Sequence, residues 1–295
     1  MTDAVKTYLL LVFAASIIIA AIAGFKGGLQ GGETVLFGFA AMLSPALAAW
    51  LASRIRREPV GWLGTNRFSW GYLPMALFAI PLLQHAVGLT VTLILLGHLP
   101  WSPGLNAGSD GMIHPAAALH LGDSITTAGL VRGLLLKALV GLVVISLFAL
   151  TEEIGWRGFM QRRIIEKQGV TKGIAISAAL WAAWHSPYAL SGLHHIAGVS
   201  TAEMLLIMPI GHFGLGMFLG WIYCRTHSIW LVALAHGSAN NWGQFAFRFM
   251  DADSINLQLA VANNMALFAL GIAILLLLRR RSTITADLQA RELTL

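Results

Sequence analysis

Glu152 and Glu153 stand side by side at the end of an apolar run, 138–150, inside the stretch Thr-Glu-Glu-Ile-Gly-Trp-Arg-Gly-Phe-Met-Gln-Arg-Arg at 151–163. Carboxylates there are expensive, about 2.5–3.5 kcal/mol each on insertion scales if placed mid-bilayer. If the helix continues, Glu153 and Arg157 are four apart on one face and can neutralise each other. Glu152 is turned about 100° away, which leaves it for chemistry. Taken alone, the stretch also reads as a helix end at the headgroups with Glu153–Arg157 as a solvated pair. Two later apolar segments, each carrying a histidine, weigh against that reading.

The first is Leu-Trp-Ala-Ala-Trp-His-Ser-Pro at 180–187. Trp181 and His185 are one helical turn apart and share a face. Pro187 cannot donate to the carbonyl of Ala183, so the helix should kink or end near His185. Backbone groups freed at membrane depth survive only where protein or water satisfies them, which puts His185 on an internal cavity. In the second, at 228–242, His236 and Asn240 are four apart and project from one face. Both can donate hydrogen bonds, and two donors aimed at one point suit a tetrahedral oxyanion. Ser238 and Asn241 point elsewhere and suit interhelical hydrogen bonds.

A carboxylate, two imidazoles and a carboxamide on three helices fit peptide-bond hydrolysis by activated water. Glu152 acts as general base, His185 holds the water or exchanges its proton, and His236 with Asn240 stabilises the oxyanion. No cofactor is required. The alternative is zinc held by Glu152, His185 and His236, a His₂Glu set of the metalloprotease kind. Against it, the chain has no HExxH, and Arg157 competes for Glu153, which would have to serve as the base.

These residues need membrane helices to position them. Of 295 residues 57% are hydrophobic and 11% charged, against roughly 25% charged in a soluble domain. The expected fold is all-α, with about eight transmembrane helices at 8–25, 34–52, 72–99, 128–150, 170–190, 202–223, 228–245 and 259–278. The first ends in a signal-peptidase-like Ala-Ile-Ala-Gly but is long for a cleaved signal, so a retained helix is expected. With both termini on one side, that side receives most of the Lys and Arg residues, from Lys6 through Arg54, Arg56 and Arg57 to Arg279, Arg280 and Arg281. Lys26 and Arg248 fall opposite, while Arg132 and Lys137 lie within the fourth span. The positive-inside rule then makes both termini cytoplasmic.

The basic residues flank apolar runs rather than forming a patch, so nucleic acid is not an expected partner. Membrane lipids and a membrane-anchored peptide or protein are. Cys224 is the single cysteine and reads as a small apolar filler. The remaining histidines, including His114 and His120 in the 100–127 loop, His194, His195 and His212, read as solvated, interface or cavity-lining groups without chemistry. The chain divides into an N-terminal scaffold at 1–127, a core at 128–246 that carries the polar residues, and a last helix with a polar tail at 247–295.

Glu152-Glu153-x-x-x-Arg157, Trp181-x-x-x-His185 and His236-x-x-x-Asn240, in that order, resemble the three signatures of the CPBP (CAAX protease and bacteriocin-processing, or Abi) family. The glycine-rich 211–220 region and 223–230 resemble the segment between its second and third signatures. The likeness covers about 148–242. It implies an eight-helix intramembrane glutamate endopeptidase, similar to the CAAX prenyl endopeptidases of the Ras-converting kind, with a cavity open to the cytosol. By the same likeness Glu152 and His185 activate water, His236 and Asn240 form the oxyanion hole, and Glu153 and Arg157 are supporting positions. The family's aromatic before the histidine is Phe, where Trp181 stands here.

The substrate does not carry over. Short loops and the charge pattern point to a bacterial inner membrane, where membrane-anchored peptides, bacteriocin precursors or a membrane-bound regulator are the expected classes. Two other functions use the same residues: a non-catalytic immunity or interaction protein, and a proton-coupled transporter. Against the transporter, the chain lacks inverted halves and has a His-x-x-x-Asn pair that a relay does not need.

Overall fold

The computed structural model describes residues 1–25, 32–58, 68–101, 126–192, 196, 198–243, 245, 250 and 253–292. His114, His120, His194 and His195 lie outside them. The described residues form helices joined by short turns, with one isolated bridging pair, Trp101 and Met250. The helices are α1 (Asp3–Phe25), α2 (Gly32–Arg56), α3 (Leu73–Leu96), α4 (Thr127–Leu136), α5 (Leu142–Glu153), α6 (Arg162–Gln168), α7 (Val170–Trp184), α8 (Ser186–Leu190), α9 (Thr201–Thr226), α10 (Ile229–Trp242) and α11 (Asn256–Glu292). From α4 to α6 the chain is one continuous helix, widened into π-helical turns at Lys137–Gly141 and Ile154–Gln161.

Among the described residues six helices are long and apolar enough to cross a membrane: α1, α2, α3, the continuous 127–168 helix, α9 and α11. Their outward faces carry Leu10, Ile17, Leu36, Ile94, Leu147 and Leu206 in the open, an apolar coat of the kind that lipid covers. The chain is an all-α, multi-pass membrane protein. The other two expected spans are shorter than drawn. At about 1.5 Å per residue, α7 and α10 are roughly 21–23 Å long, short of a ~30 Å hydrocarbon core. They pack among the long helices, α7 against α9 and α10 against α5 and α3.

Local chemistry sets the boundaries around these short helices. Gly169, at φ +78°, ends α6 and turns the chain into α7. Pro187 starts α8, so His185 sits in the break that its missing N–H was expected to cause. Ser200 and Glu203 form a reciprocal capping box at the start of α9. Ser228 Oγ accepts from Leu231 N at 3.3 Å to open α10.

Three contacts gather one end of the bundle. Arg56 Nε donates to Thr7 Oγ1 at 2.8 Å, Arg163 meets Glu58 at 3.4 Å, and Arg225 Nε donates to Tyr72 Oη at 3.2 Å. The start of α1, the end of α2, α6 and the end of α9 therefore share the basic end. Farther along α1, Ser16 Oγ donates to the Trp184 carbonyl at 3.0 Å. Nine residues separate Thr7 from Ser16, so the end of α7 lies about 14 Å in from that end.

Candidate active site

The site is built on Glu153, which is fully buried. Its Oε1 accepts from Arg157 Nη1 at 3.0 Å and lies 2.7 Å from His236 Nδ1. A carboxylate oxygen only accepts, so His236 Nδ1 carries the hydrogen and donates it. The i,i+4 pairing with Arg157 is the one expected from spacing, and it survives although the helix widens to π geometry at Ile154. It is not the solvated pair of the alternative reading, because both side chains are out of reach of water. Arg157 also lies over the Trp181 ring at 4.8 Å from its centroid and reaches the Gly216 carbonyl at 3.5 Å. A guanidinium flanked by a carboxylate, an indole face and a carbonyl is compensated on three sides.

Glu152 is buried too, but it is not the unpartnered carboxylate the sequence left over. Trp181 Nε1 donates to its Oε2 at 3.1 Å. This reaches from α7 to α5 and fixes one oxygen. His185, one turn beyond Trp181, places Nδ1 2.8 Å from the Trp181 carbonyl. A carbonyl can only accept, so the Nδ1 hydrogen points there and Nε2 is the nitrogen left for other partners. Trp181 is the hub of the ring contacts, with centroids 4.6 Å from His185 and 5.4 Å from His236, both edge-on. Tryptophan in place of the family's phenylalanine therefore does more than line a wall: its N–H holds the carboxylate.

Close helix approach brings these groups together. A Cβ on Gly237, next to His236, would lie 2.6 Å from Ser146 Cα, so α10 meets α5 at a distance only glycine permits. A Cβ on Gly155 would lie 2.5 Å from the Pro45 carbonyl oxygen, which seats α2 against the π-helical turn after the two glutamates. Thr151 Oγ1 adds a tie to the Met42 carbonyl at 2.6 Å. On α10, Ser238 Oγ donates to the Leu77 carbonyl at 2.5 Å, the interhelical bond expected of it.

Glu152, Trp181, His185, His236 and Asn240 all line one cavity of about 190 Å³, ample for several waters or a few peptide atoms. The four residues singled out for chemistry are thus brought to a shared space, three of them buried and Asn240 exposed at its edge. Glu153 and Arg157 stand behind it. The part of the lining that comes from α2 was not foreseen. Gly38, Ala41 and Met42 come from α2, assigned to the scaffold; only their i, i+3, i+4 spacing along one face hinted at it. His212 was read as an interface or cavity-lining histidine without chemistry, and it does line the same cavity, with its ring centroid 4.2 Å from that of His185.

His236 and His185 each turn Nδ1 to a protein acceptor, which is also how zinc-ligating histidines are commonly held; among the described residues no three His, Cys, Asp or Glu side chains group as a metal cradle.

No curated protein matches the chain. A protein family does match the region from Arg132 to Trp242, which runs from the helix of Glu152 to the end of α10. In general terms the match supports an intramembrane protease of the CAAX type. Residues 132–242, the part of the chain that supplies the cavity's glutamate and its three histidines, match the family described as type II CAAX prenyl endopeptidase Rce1-like, consistent with the CPBP family.

Proposed function

We propose that the protein is an intramembrane endopeptidase that cleaves a membrane-associated peptide or protein with an activated water. The observation that carries this reading is the convergence of Glu152, His185, His236 and Asn240 on one cavity, with Glu153 and Arg157 behind it.

Glu152 has one oxygen held by Trp181 and the other available to a water. The water gives a proton to that carboxylate as its oxygen attacks the scissile carbonyl carbon, with His185 Nε2 orienting it. The carbonyl oxygen becomes an oxyanion between the Asn240 carboxamide and His236 Nε2–H. Because His236 Nδ1–H is committed to Glu153, donation from Nε2 requires the imidazolium form. Charge balance suits that form: two carboxylates against one guanidinium leave one negative charge, which an imidazolium cancels. Glu153 thus orients His236 and supports its charge, as an aspartate does for a catalytic histidine. Collapse of the tetrahedral intermediate breaks the C–N bond: its electron pair goes to nitrogen, and the proton that Glu152 took from the water passes to the leaving amine. Every step uses side chains already on the cavity, and none needs a metal.

The setting is a bacterial inner membrane with both termini cytoplasmic, and the substrate a membrane-anchored peptide, a bacteriocin precursor or a membrane-bound regulator. The decisive experiment is cleavage by the protein purified in detergent, with the Glu152→Gln variant beside it. A drop of at least ~10²-fold with unchanged thermal unfolding is expected. Full activity in Glu152→Gln ends the assignment. Retained protection of cells by the same variant would point instead to a non-catalytic immunity protein.

A further inference from the structure

Several glycines of this bundle answer to packing. At Gly155, Gly214, Gly220 and Gly237 a Cβ would lie less than 3 Å from atoms of another element. Gly38, in α2, is different: a Cβ there would meet no atom within 4 Å, although Gly38 lines the cavity of Glu152. Glycine destabilises a helix relative to alanine, and close packing gives no reason for it at this position. On an α-helix a side chain at Gly38 would point between those of Ala41 and Met42, about 60° from the first and about 40° from the second. Both neighbours line the same cavity, so the open space beside Gly38 is cavity space.

Three contacts set this wall beside the reacting groups. Thr151 Oγ1 donates to the Met42 carbonyl at 2.6 Å, Phe39 stacks on Phe148 with ring centroids 3.7 Å apart, and Pro45 meets Gly155. The register of α2 is thereby fixed against the helix that carries Glu152. Glu152, the cavity histidines and Asn240 all come from other elements, whereas Gly38, Ala41 and Met42 offer only carbon and one thioether. A peptide whose scissile carbonyl sits between Glu152 and the oxyanion donors brings its neighbouring side chains into the same cavity. A charged one turned to the α2 wall would lose its hydration and gain no partner; an apolar one loses nothing. We infer that Gly38 determines specificity: the space its missing side chain leaves is a subsite for an apolar side chain on a substrate residue adjoining the scissile bond. Met42, unbranched and adaptable, borders the subsite one turn along.

This inference rests on the endopeptidase reading, and cleavage and binding measured side by side separate the two. The probes are peptides anchored in detergent by an N-terminal palmitoyl chain, carrying Ala, Leu or Phe in turn at each position, with the cut bond located by mass spectrometry. The native protein should cut beside Leu or Phe at least as fast as beside Ala. Gly38→Leu fills the subsite, so kcat/KM beside Phe should fall at least about tenfold and beside Ala less than about threefold. Its thermal unfolding should be unchanged, because the new side chain enters open space. Adding Met42→Ala to Gly38→Leu should restore part of the lost Phe cleavage. Equal losses for Phe and Ala, no loss for either, or a lowered unfolding temperature would each overturn the subsite. Binding of the same peptides is measured in Glu152→Gln, with and without Gly38→Leu. The second substitution should raise Kd at least about tenfold for the Phe peptide and leave the Ala peptide nearly unchanged. Size-selective binding by a protein that cleaves none of the peptides would sink the endopeptidase reading and keep the subsite. Binding without size selection, or no binding, would sink the subsite.

Discussion

Single atoms decide how the two adjacent glutamates differ. Glu153 Oε1 receives both Arg157 and His236, while Glu152 Oε2 receives only the indole N–H of Trp181. Removing one member of a fully buried ion pair strands the other and costs about 3–5 kcal/mol. Glu153→Ala should accordingly lower the unfolding temperature in detergent markedly, whereas Glu152→Gln leaves it nearly unchanged. A stable Glu153→Ala protein would show that Arg157 finds its compensation elsewhere. The Glu153–Arg157 pair was legible because helical spacing alone creates it. The Glu153–His236 bond was not, since it joins residues 83 apart in sequence through the approach of two helices. Nor could spacing reveal that Trp181, placed correctly on the His185 face, would give its N–H to Glu152.

Between elements, the tight packing of α10 on α5 sets the position of His236. Gly237→Val would force side-chain atoms into the backbone at Ser146, and overpacking of this kind typically costs about 1–3 kcal/mol. Cleavage should fall with stability, because the helix carrying His236 and Asn240 is displaced. Ser238→Ala is the contrasting case on the same helix. It removes one bond to α3 and should cost only about 0.6 kcal/mol while activity is kept. Parallel unfolding and activity measurements on the two variants check both statements. The break at His185 could be read from Pro187, whose missing donor is written in its residue type. The π-helical turn after Glu153 could not, because one extra residue per turn leaves no mark in composition or apolar period.

At the scale of the whole molecule, six long helices among the described residues surround two short ones, α7, which ends at His185, and α10, which carries His236 and Asn240. Hydropathy could find all eight apolar segments but could not tell a span from a helix held inside the bundle, since both are uniformly apolar. It also assigned α1 and α2 to scaffold, although Ser16 holds the end of α7 and α2 walls the cavity. The arginine-rich end gathered by Arg56, Arg163 and Arg225 should face the cytoplasm. A fluorescent protein fused to the C-terminus should therefore glow, and an alkaline phosphatase fused there should stay inactive. The reverse pattern would turn the bundle over.

The Trp181 indole sits under a guanidinium, against two imidazole edges, with its N–H on a carboxylate. Light absorbed by such a ring is emitted at a wavelength and with an intensity set by those neighbours. Subtracting the emission spectrum of Trp181→Phe from that of the native protein should isolate its signal from the other nine tryptophans. That difference would then shift whenever a molecule enters the cavity, giving a dye-free optical assay with which to screen for what this membrane protein accepts.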